Sequence, residues 1–366
     1  MTNSPRLFAP DLFSDPIPRF SEIDDAQAEA REITALLATR YKKRGGVPEK
    51  IMQSGSLEIN SRNFRVITNR GQVLLKKLSP SVSQKATLEN QQALVAWLKD
   101  QGVPVPTPIR ADDGTYLCRS GDNECWMAMD FVEGHFFSGR RASVAEVGHA
   151  IGRLHKALKT APRQWPIDRR YAHFSDNDRA AFREVLSATP AVLERFAKPD
   201  AQLLEQNREF LARVWQVVIE HQKDYVTSEA GLIHIDLHPH NLLLQDDRVA
   251  AFIDLDSLMT GPLNMMLGFS AYKLLRQVVQ AEAREKASAD CQAMVGDFLD
   301  SFYEELPEFR KFRNSVVLFA MAEVCRRIAI IFRLTLREQN TTWNHVLKVH
   351  LVGLREIEFL FGQNSD

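Results

Sequence analysis

The chain has 366 residues, 46 lysines and arginines against 47 aspartates and glutamates, a formal net charge of −1 and a hydrophobic share of 45%. Such a balance carries no electrostatic footprint for nucleic acid, and an ordinary apolar share excludes disorder and fibrous repeats. Cys118, Cys125, Cys291 and Cys325 form no C-x-x-C pair and no zinc-ribbon spacing, so they are expected as mostly buried thiols in a reducing compartment.

The opening MTNSPRLFAPDLF lacks a basic stretch followed by an apolar run, so no secretory signal is expected. DAQAEAREITALLATRYKKRGG then reads as a helix closed by basic residues and Gly45-Gly46. Residues 1–45 are set apart as an N-terminal extension with a helix. From 46 to 133 the texture is β-rich: NFRVITN, QVLLKKL, TYLCR and ECWMAMDFV are separated by Asn-Arg-Gly, Asp-Asp-Gly and Ser-Gly-Asp-Asn turn signals. One helix, about Ser83 to Gln101, interrupts them and stops before GVPVPTPI.

Residues 134–366 read as a large helical lobe. Ser143 and Glu146 form a capping-box pattern ahead of the stripe Val144, Val147, Ile151, Leu154 and Leu158, and further helices are expected over 203–221, 270–283, 315–335 and 344–361. The apolar run from Ser315 is broken by Glu323, Arg326 and Arg327. It cannot supply the roughly 18 unbroken apolar residues of a membrane span, and a cytoplasmic protein is expected. The fold class is α+β: a small antiparallel β lobe with one inserted helix, then a mainly helical lobe.

The densest chemistry lies in HIDLHPHNLL, residues 234–243. His234, His238, His240 and Asp236 offer enough donor atoms for zinc. Pro239 turns the chain before His240, however, and no second ligand-rich cluster such as H-E-x-x-H follows. The other possibility begins at VAAFIDLDSL, where an apolar run delivers Asp254 and Asp256 at its end. Magnesium takes hard oxygen ligands and shares them with substrate phosphates. Asp236 beside a nucleophile, with Asn241 and Asp254 holding the ion, is the set that metal-dependent phosphoryl transfer requires.

The string His234-Ile-Asp236-Leu-His238-Pro-His-Asn241 resembles the H-x-D-x-x-x-x-N catalytic loop of the aminoglycoside phosphotransferase and choline kinase superfamily, and Ile253-Asp254 stands at that family's Ile-Asp pair. The resemblance runs by motif over about residues 50–270. It implies a protein-kinase-like bilobal fold in which 46–133 is the nucleotide-binding lobe and 134–366 carries the catalytic loop and the acceptor site. It also implies ATP, or GTP, with Mg²⁺, and transfer of a γ-phosphoryl group to the hydroxyl of a small molecule.

Within that resemblance Asp236 is the catalytic residue, Asn241 and Asp254 are metal ligands, and His234 and His238 brace the loop. Asp256 is a second metal ligand or an acceptor contact. Lys76 is the phosphate-binding lysine, with Lys77 its off-register neighbour and Glu89 its partner on the inserted helix. Ser54, Gly55 and Ser56 stand where backbone N–H groups would cradle phosphate. Met129, Asp130, Phe131 and Val132 form the hinge facing adenine. Met266 occupies a position where many members carry an aspartate.

A sugar, amino sugar or aminoglycoside is the expected acceptor, because IDLDSLMTGP is similar to a segment of N-acetylhexosamine 1-kinases and because DFLDSFYEELPEF offers Asp297, Asp300, Glu304, Glu305 and Glu308 to a polycation. A silent nucleotide-binding relative of the kinases and a zinc hydrolase are the two alternatives. Neither nucleic acid nor a membrane is an expected partner.

Overall fold

The computed structural model describes residues 7–8, 20–24, 27–54, 61–78, 82–120, 124–162, 164–167, 170–171, 174–226, 229–282 and 288–362. The small lobe contains β1 (Phe20–Glu22), α1 (Ala28–Arg40), β2 (Pro48–Ser54), β3 (Ser61–Thr68), β4 (Gly71–Leu78), α2 (Val82–Asp100), β5 (Pro108–Ile109), β6 (Leu117–Ser120) and β7 (Glu124–Asp130). Its antiparallel sheet runs β1-β2-β3-β4-β7-β5, with β6 also on β7. Alternation in β3 and β4 sends Phe64, Val66, Val73 and Leu75 to one face, where Ala30, Ile33, Leu36 and Leu37 of α1 close over them. The helix of the N-terminal extension therefore packs into the core of the small lobe.

β2 was not among the expected strands, because PEKIMQS lacks clean apolar alternation; its place is fixed by antiparallel pairing with β1 and β3. The inserted helix α2 links the two lobes. Its Leu94, Val95 and Leu98 join the core of the large lobe, while Leu88 rests on Leu78, Cys125 and Met127 of the sheet.

The large lobe follows with β8 (His135–Phe136), α3 (Val144–Lys159), α4 (Asp176–Ser187), α5 (Pro190–Leu193), α6 (Lys198–Glu220), α7 (Gln222–Val226), β9 (Ala230–His234), β10 (Leu242–Gln245), β11 (Arg248–Phe252) and β12 (Leu258–Pro262). Four helices complete it: α8 (Met265–Ala281), α9 (Ser288–Glu305), α10 (Val316–Arg337) and α11 (Leu347–Phe361). The apolar stripe of α3 is buried as expected, but the capping box at Ser143 does not form. Ser143 instead donates its hydroxyl hydrogen to Asp247 in the β10–β11 turn. The reciprocal box occurs at α4, between Ser175 and Asp178.

All four cysteines are buried, as expected. Among the described residues no helix is long and apolar enough to cross a membrane.

Helix α8 runs against α10 so closely that a Cβ on Gly268 would lie 2.5 Å from the Ala320 nitrogen and 2.6 Å from the Phe319 Cβ. A backbone in contact on the far side cannot give way cheaply. Gly268→Ala is expected to lower stability by about 1–3 kcal/mol in urea unfolding, the usual range for overpacking a dense core.

Candidate active site

The site is carried by two short antiparallel pairs. β9 and β12 pair in the register Leu258↔His234 and Met259↔Ile233, and β10 and β11 form a hairpin with Leu242 opposite Phe252. The hairpin turn is Asp246-Asp247, both left-handed at φ 50° and 61°, the backbone of a two-residue turn whose twist suits the strands. One step beyond the ladder Ile253 donates to the Asn241 carbonyl at 3.0 Å. Asn241 and Asp254, thirteen residues apart in sequence, thus stand side by side.

Asp254 itself is left-handed, at φ 55°. This conformation is uncommon for a residue with a Cβ and costs energy that the surrounding structure must hold in place. Lys76 of β4 provides such a hold. Its ammonium lies 2.9 Å from Asp254 Oδ1 and 2.7 Å from Asp256 Oδ2, with the lysine side chain only 8% exposed. The Lys76 charge, opposed by burial, holds the Asp254 carboxyl below its ordinary range. Lys77 points to the other face of β4 and pairs with Glu32 and Glu124 at 2.8 and 2.7 Å. Strand alternation separates the two lysines.

Glu89 is not the partner of Lys76. Its carboxylate accepts the backbone N–H groups of Tyr116 at 3.0 Å and of Leu117 at 2.7 Å, closing off the start of β6. The residue of α2 that reaches the loop after β11 is Gln91, whose amide donates to the carbonyls of Asp256 at 3.1 Å and Leu258 at 3.4 Å. Among the described residues the carboxylates on the lysine come from the loop after β11. Sequence reasoning missed this because a helical glutamate at a plausible remove draws attention over a glutamine, while the 3.6-residue period puts positions 89 and 91 on different faces.

Asp236 is clamped by a residue that the sequence reading passed over. Arg327 of α10 donates from Nη2 to Asp236 Oδ1 at 2.9 Å and to the Ile235 carbonyl at 3.3 Å, and its Nε bonds Glu323 at 2.9 Å. Glu323 is fully buried and also accepts from Arg326 and from the Tyr171 hydroxyl. In the sequence Arg326 and Arg327 stand out only as interruptions of an apolar run. An arginine pair one helical turn beyond a buried glutamate is the signal that could have found them.

Burial raises the Asp236 carboxyl, but Arg327 and His238 outweigh it and leave it well below the carboxylate range. Asn241 donates from Nδ2 to the Asp236 carbonyl at 2.8 Å, which fixes the amide and turns its oxygen away from that bond.

The histidines are engaged locally. His234 is fully buried, its Nδ1 accepts the Asp236 N–H at 3.3 Å, and Ser257 Oγ lies 3.2 Å away. Its own N–H donates to the thioether of Met266 at 3.3 Å, so sulfur stands at a place where a carboxylate was expected. His238 Nδ1 accepts the His240 N–H at 3.3 Å. Burial brings the His238 imidazole down to about 4 against the pull of Asp236, so it is neutral at pH 7. Among the described residues no group of three or more His, Cys, Asp or Glu gathers as a metal-ligand set. The donors at Asp254 and Asn241 are hard oxygens, two protein side chains of the kind Mg²⁺ shares with phosphates, and a cation, the Lys76 ammonium, already lies against Asp254.

Ser54 is buried at the end of β2, whereas Gly55 and Ser56 fall outside the described residues. In the hinge, Met129 pairs with Leu74, and the N–H groups of Asp130 and Phe131 are spent on the carbonyls of Thr107 and Gln72 at 2.9 and 3.3 Å. The Arg65 guanidinium stands 4.2 Å from the centre of the Phe131 ring, with Phe20 edge-on at 5.9 Å. Val132 follows these two at the exit from the sheet, half-buried.

The acidic residues of α9 and its exit have partners of their own. Asp297 pairs with Arg141 at 2.6 Å, Asp300 with Arg313 at 2.6 Å, Glu305 with Arg153 at 3.5 Å and Glu308 with Lys159 at 2.9 Å, and Glu304 lies 3.6 Å from His149. They stitch α3 to α9 and its exit.

Asp256→Asn removes one of the described carboxylates that hold Lys76 in place and is expected to weaken nucleotide binding about tenfold by calorimetry. Glu89→Gln is expected to leave that affinity within about twofold while costing about 1.5–3 kcal/mol in urea unfolding, the worth of hydrogen bonds to a charged group.

Comparison with known proteins bears on this arrangement. A model of the phosphotransferase enzyme family matches residues 55–311. Homoserine kinase of Parvibaculum lavamentivorans is 26% identical over 238 residues, 64% of this chain and 65% of that protein. The homoserine kinase of Nitrobacter hamburgensis is 30% identical over 225 residues, 58% and 60% of the two chains. The chain thus spans less than two thirds of the length of these curated relatives.

Among solved structures, spectinomycin phosphotransferase with ADP and spectinomycin superposes with a TM-score of 0.64 at 14% identity, covering 90% of this chain and 97% of that one. Amicoumacin kinase gives 0.58 at 14% identity, covering 92% and 94%. These likenesses are of fold, a small sheet lobe on a large helical lobe. With the family model matching well over half of its length, this chain belongs to the phosphotransferase enzyme family.

Proposed function

We propose that this protein is a small-molecule kinase that moves the γ-phosphoryl group of ATP to an acceptor hydroxyl. The observation that carries the proposal is the convergence of Lys76, Asp254, Asn241 and Asp236 from two lobes onto one place, with Lys76 in contact with Asp254 and Asn241 bonded to the Asp236 backbone. Asp254 and Asn241 would hold Mg²⁺, whose charge would offset that of the phosphates.

Lys76 would leave its carboxylates in part to meet phosphate oxygens, and the Val132 N–H and the hinge carbonyls would face the base. The acceptor oxygen attacks the γ-phosphorus, the bond from that phosphorus to the β–γ bridging oxygen breaks, and ADP departs with those electrons. The hydroxyl proton passes to Asp236. A carboxylate held so low is a weak base before the hydroxyl begins to react, so its main work is orientation, with the proton arriving late. Arg327 ties down Oδ1 and leaves Oδ2 for the hydroxyl.

The relatives named above act on an amino acid and the structural neighbours on antibiotics, so names alone do not choose the acceptor. A sugar-like or amino-acid hydroxyl is in keeping with the site. The α9 carboxylates Asp297, Asp300 and Glu305 are paired with Arg141, Arg313 and Arg153, so they add no support of their own for a polycationic acceptor.

Asp236→Asn keeps the size and the loop while removing the base. Turnover is expected to fall by about a hundredfold to ten-thousandfold, with the KM for MgATP within about threefold of wild type. Steady-state kinetics of ADP formation with a phosphorylated acceptor provides the check, and near-normal turnover would overturn the assignment. A silent relative of the kinases would show no acceptor-dependent ADP in the wild type either.

A further inference from the structure

Capping a turn asks only for a short acceptor, and Asn, Asp, Ser and Thr are the usual choices. Position 238 has a histidine there. Its backbone is extended, at φ −141° and ψ 171°, ahead of the three-residue turn Pro239–Asn241, and its Nδ1 accepts the His240 N–H at 3.3 Å. An amide N–H can only donate, so Nδ1 presents a lone pair and the neutral ring carries its hydrogen on Nε2. The imidazole thus brings a second polar atom, a donor, that a cap does not need.

That atom stands beside the reacting carboxylate. Nε2 lies 3.8 Å from Asp236 Oδ2. The separation exceeds a hydrogen bond, yet a single oxygen placed beside the two atoms can reach both. Arg327 takes Oδ1 of Asp236 at 2.9 Å, and among the described residues Oδ2 accepts no hydrogen bond and Nε2 donates none. Both side chains are open to a substrate, 33% exposed at Asp236 and 26% at His238.

Ring packing holds the imidazole in this orientation. His240 stands edge to face with His238 at 5.8 Å between ring centres, and Phe136 lies against His240 at 5.6 Å. Phe136 is fixed in turn by the pairing of β8 with Leu243 of β10. A donor held by its neighbours in this way loses little freedom when a substrate arrives.

We propose that His238 is a second catalytic residue, whose Nε2–H donates to the oxygen of the acceptor hydroxyl while that hydroxyl donates its own hydrogen to Asp236 Oδ2. The inference rests on the kinase reading above. A hydroxyl oxygen has one bond to carbon, one to hydrogen and two lone pairs. With its hydrogen on Asp236 and one lone pair on His238, the remaining lone pair is the one left for the γ-phosphorus, and fixing that direction is how positioning contributes to rate. The bond from the acceptor oxygen to phosphorus forms, the bond from phosphorus to the β–γ bridging oxygen breaks, and the hydroxyl proton moves to Oδ2. The imidazole keeps its hydrogen throughout, so it orients the oxygen and is not the base.

Two substitutions divide the work of the ring. His238→Asn keeps an acceptor where Nδ1 caps the turn and has no donor at the place of Nε2. His238→Gln brings an amide N–H to the place of Nε2 and gives up the cap. The full-length wild type and both variants are assayed for ADP formation from MgATP with D-glucosamine, myo-inositol, L-homoserine and spectinomycin in turn, and with water alone as the attacking oxygen. With the best of these for the wild type, His238→Asn is expected to lower the rate by about tenfold to a hundredfold, and His238→Gln to stand at least about fivefold above His238→Asn. Calorimetric titration with MgADP is expected to give both variants the affinity of wild type within about twofold, which reports an intact nucleotide lobe.

A rate for His238→Gln at or below that of His238→Asn overturns the proposal, since a cap or a base would give that order. Nitrogen-15 spectra of histidine-labelled wild type test the same point without a variant: the Nε2–H form of His238 is expected at pH 7, and the Nδ1–H form overturns the proposal. No ADP formation by the wild type with any of the five removes the kinase reading and this proposal with it, whereas ADP formation with the wrong order of variants removes this proposal alone.

Discussion

The rest of the site depends on one ammonium group. Lys76 lies between Asp254 and Asp256, and that clasp joins the fourth strand of the small lobe to the loop after β11 in the large one. A charge taken almost wholly out of water is stable only when paired and hydrogen-bonded. The left-handed turn at Asp254 and the three-residue helix after it have their fixed point in the lysine of the other lobe. Gln91 secures the same loop through its carbonyls. The inserted helix thus supports the loop by its amide rather than by a carboxylate on Lys76.

A second clamp, at Asp236, comes from the far end of the chain. Arg327 lies one helical turn after Glu323 on α10, and close packing of α10 on α8 at Gly268 sets the distance at which its guanidinium meets the loop after β9. A buried glutamate holding two arginines is costly to desolvate, and it is maintained here by Tyr171 as a third donor.

Much of this was legible in the sequence where local pattern and chemistry coincide. The strands β3, β4, β6 and β7 follow from alternation and turn residues, and the spacing of Asp236, Asn241 and Asp254 follows from a hairpin whose length is set by its two-residue turn. Lys76 and Lys77 are separated to opposite faces by the period of a strand.

What was not legible depends on contacts distant in sequence. Glu89 was a reasonable partner for Lys76 until the rotation of α2 placed it on the backbone of Tyr116 and Leu117. The acidic residues of α9 resembled a pocket wall until α3 packed against them. Arg327 lies 91 residues from Asp236 and carries no motif of its own. Met266 in place of an aspartate was a puzzle in the sequence, and its sulfur accepting the His234 N–H resolves it.

If Lys76, Asn241 and Asp254 form a metal-nucleotide site, calorimetric titration of the wild-type chain with ATP, with and without Mg²⁺, will register it. One nucleotide per chain is expected, with affinity falling about tenfold or more when the metal is withheld, since the two hard-oxygen ligands then face phosphate without an ion between them. Equal affinity with and without metal, or no binding at all, would contradict it.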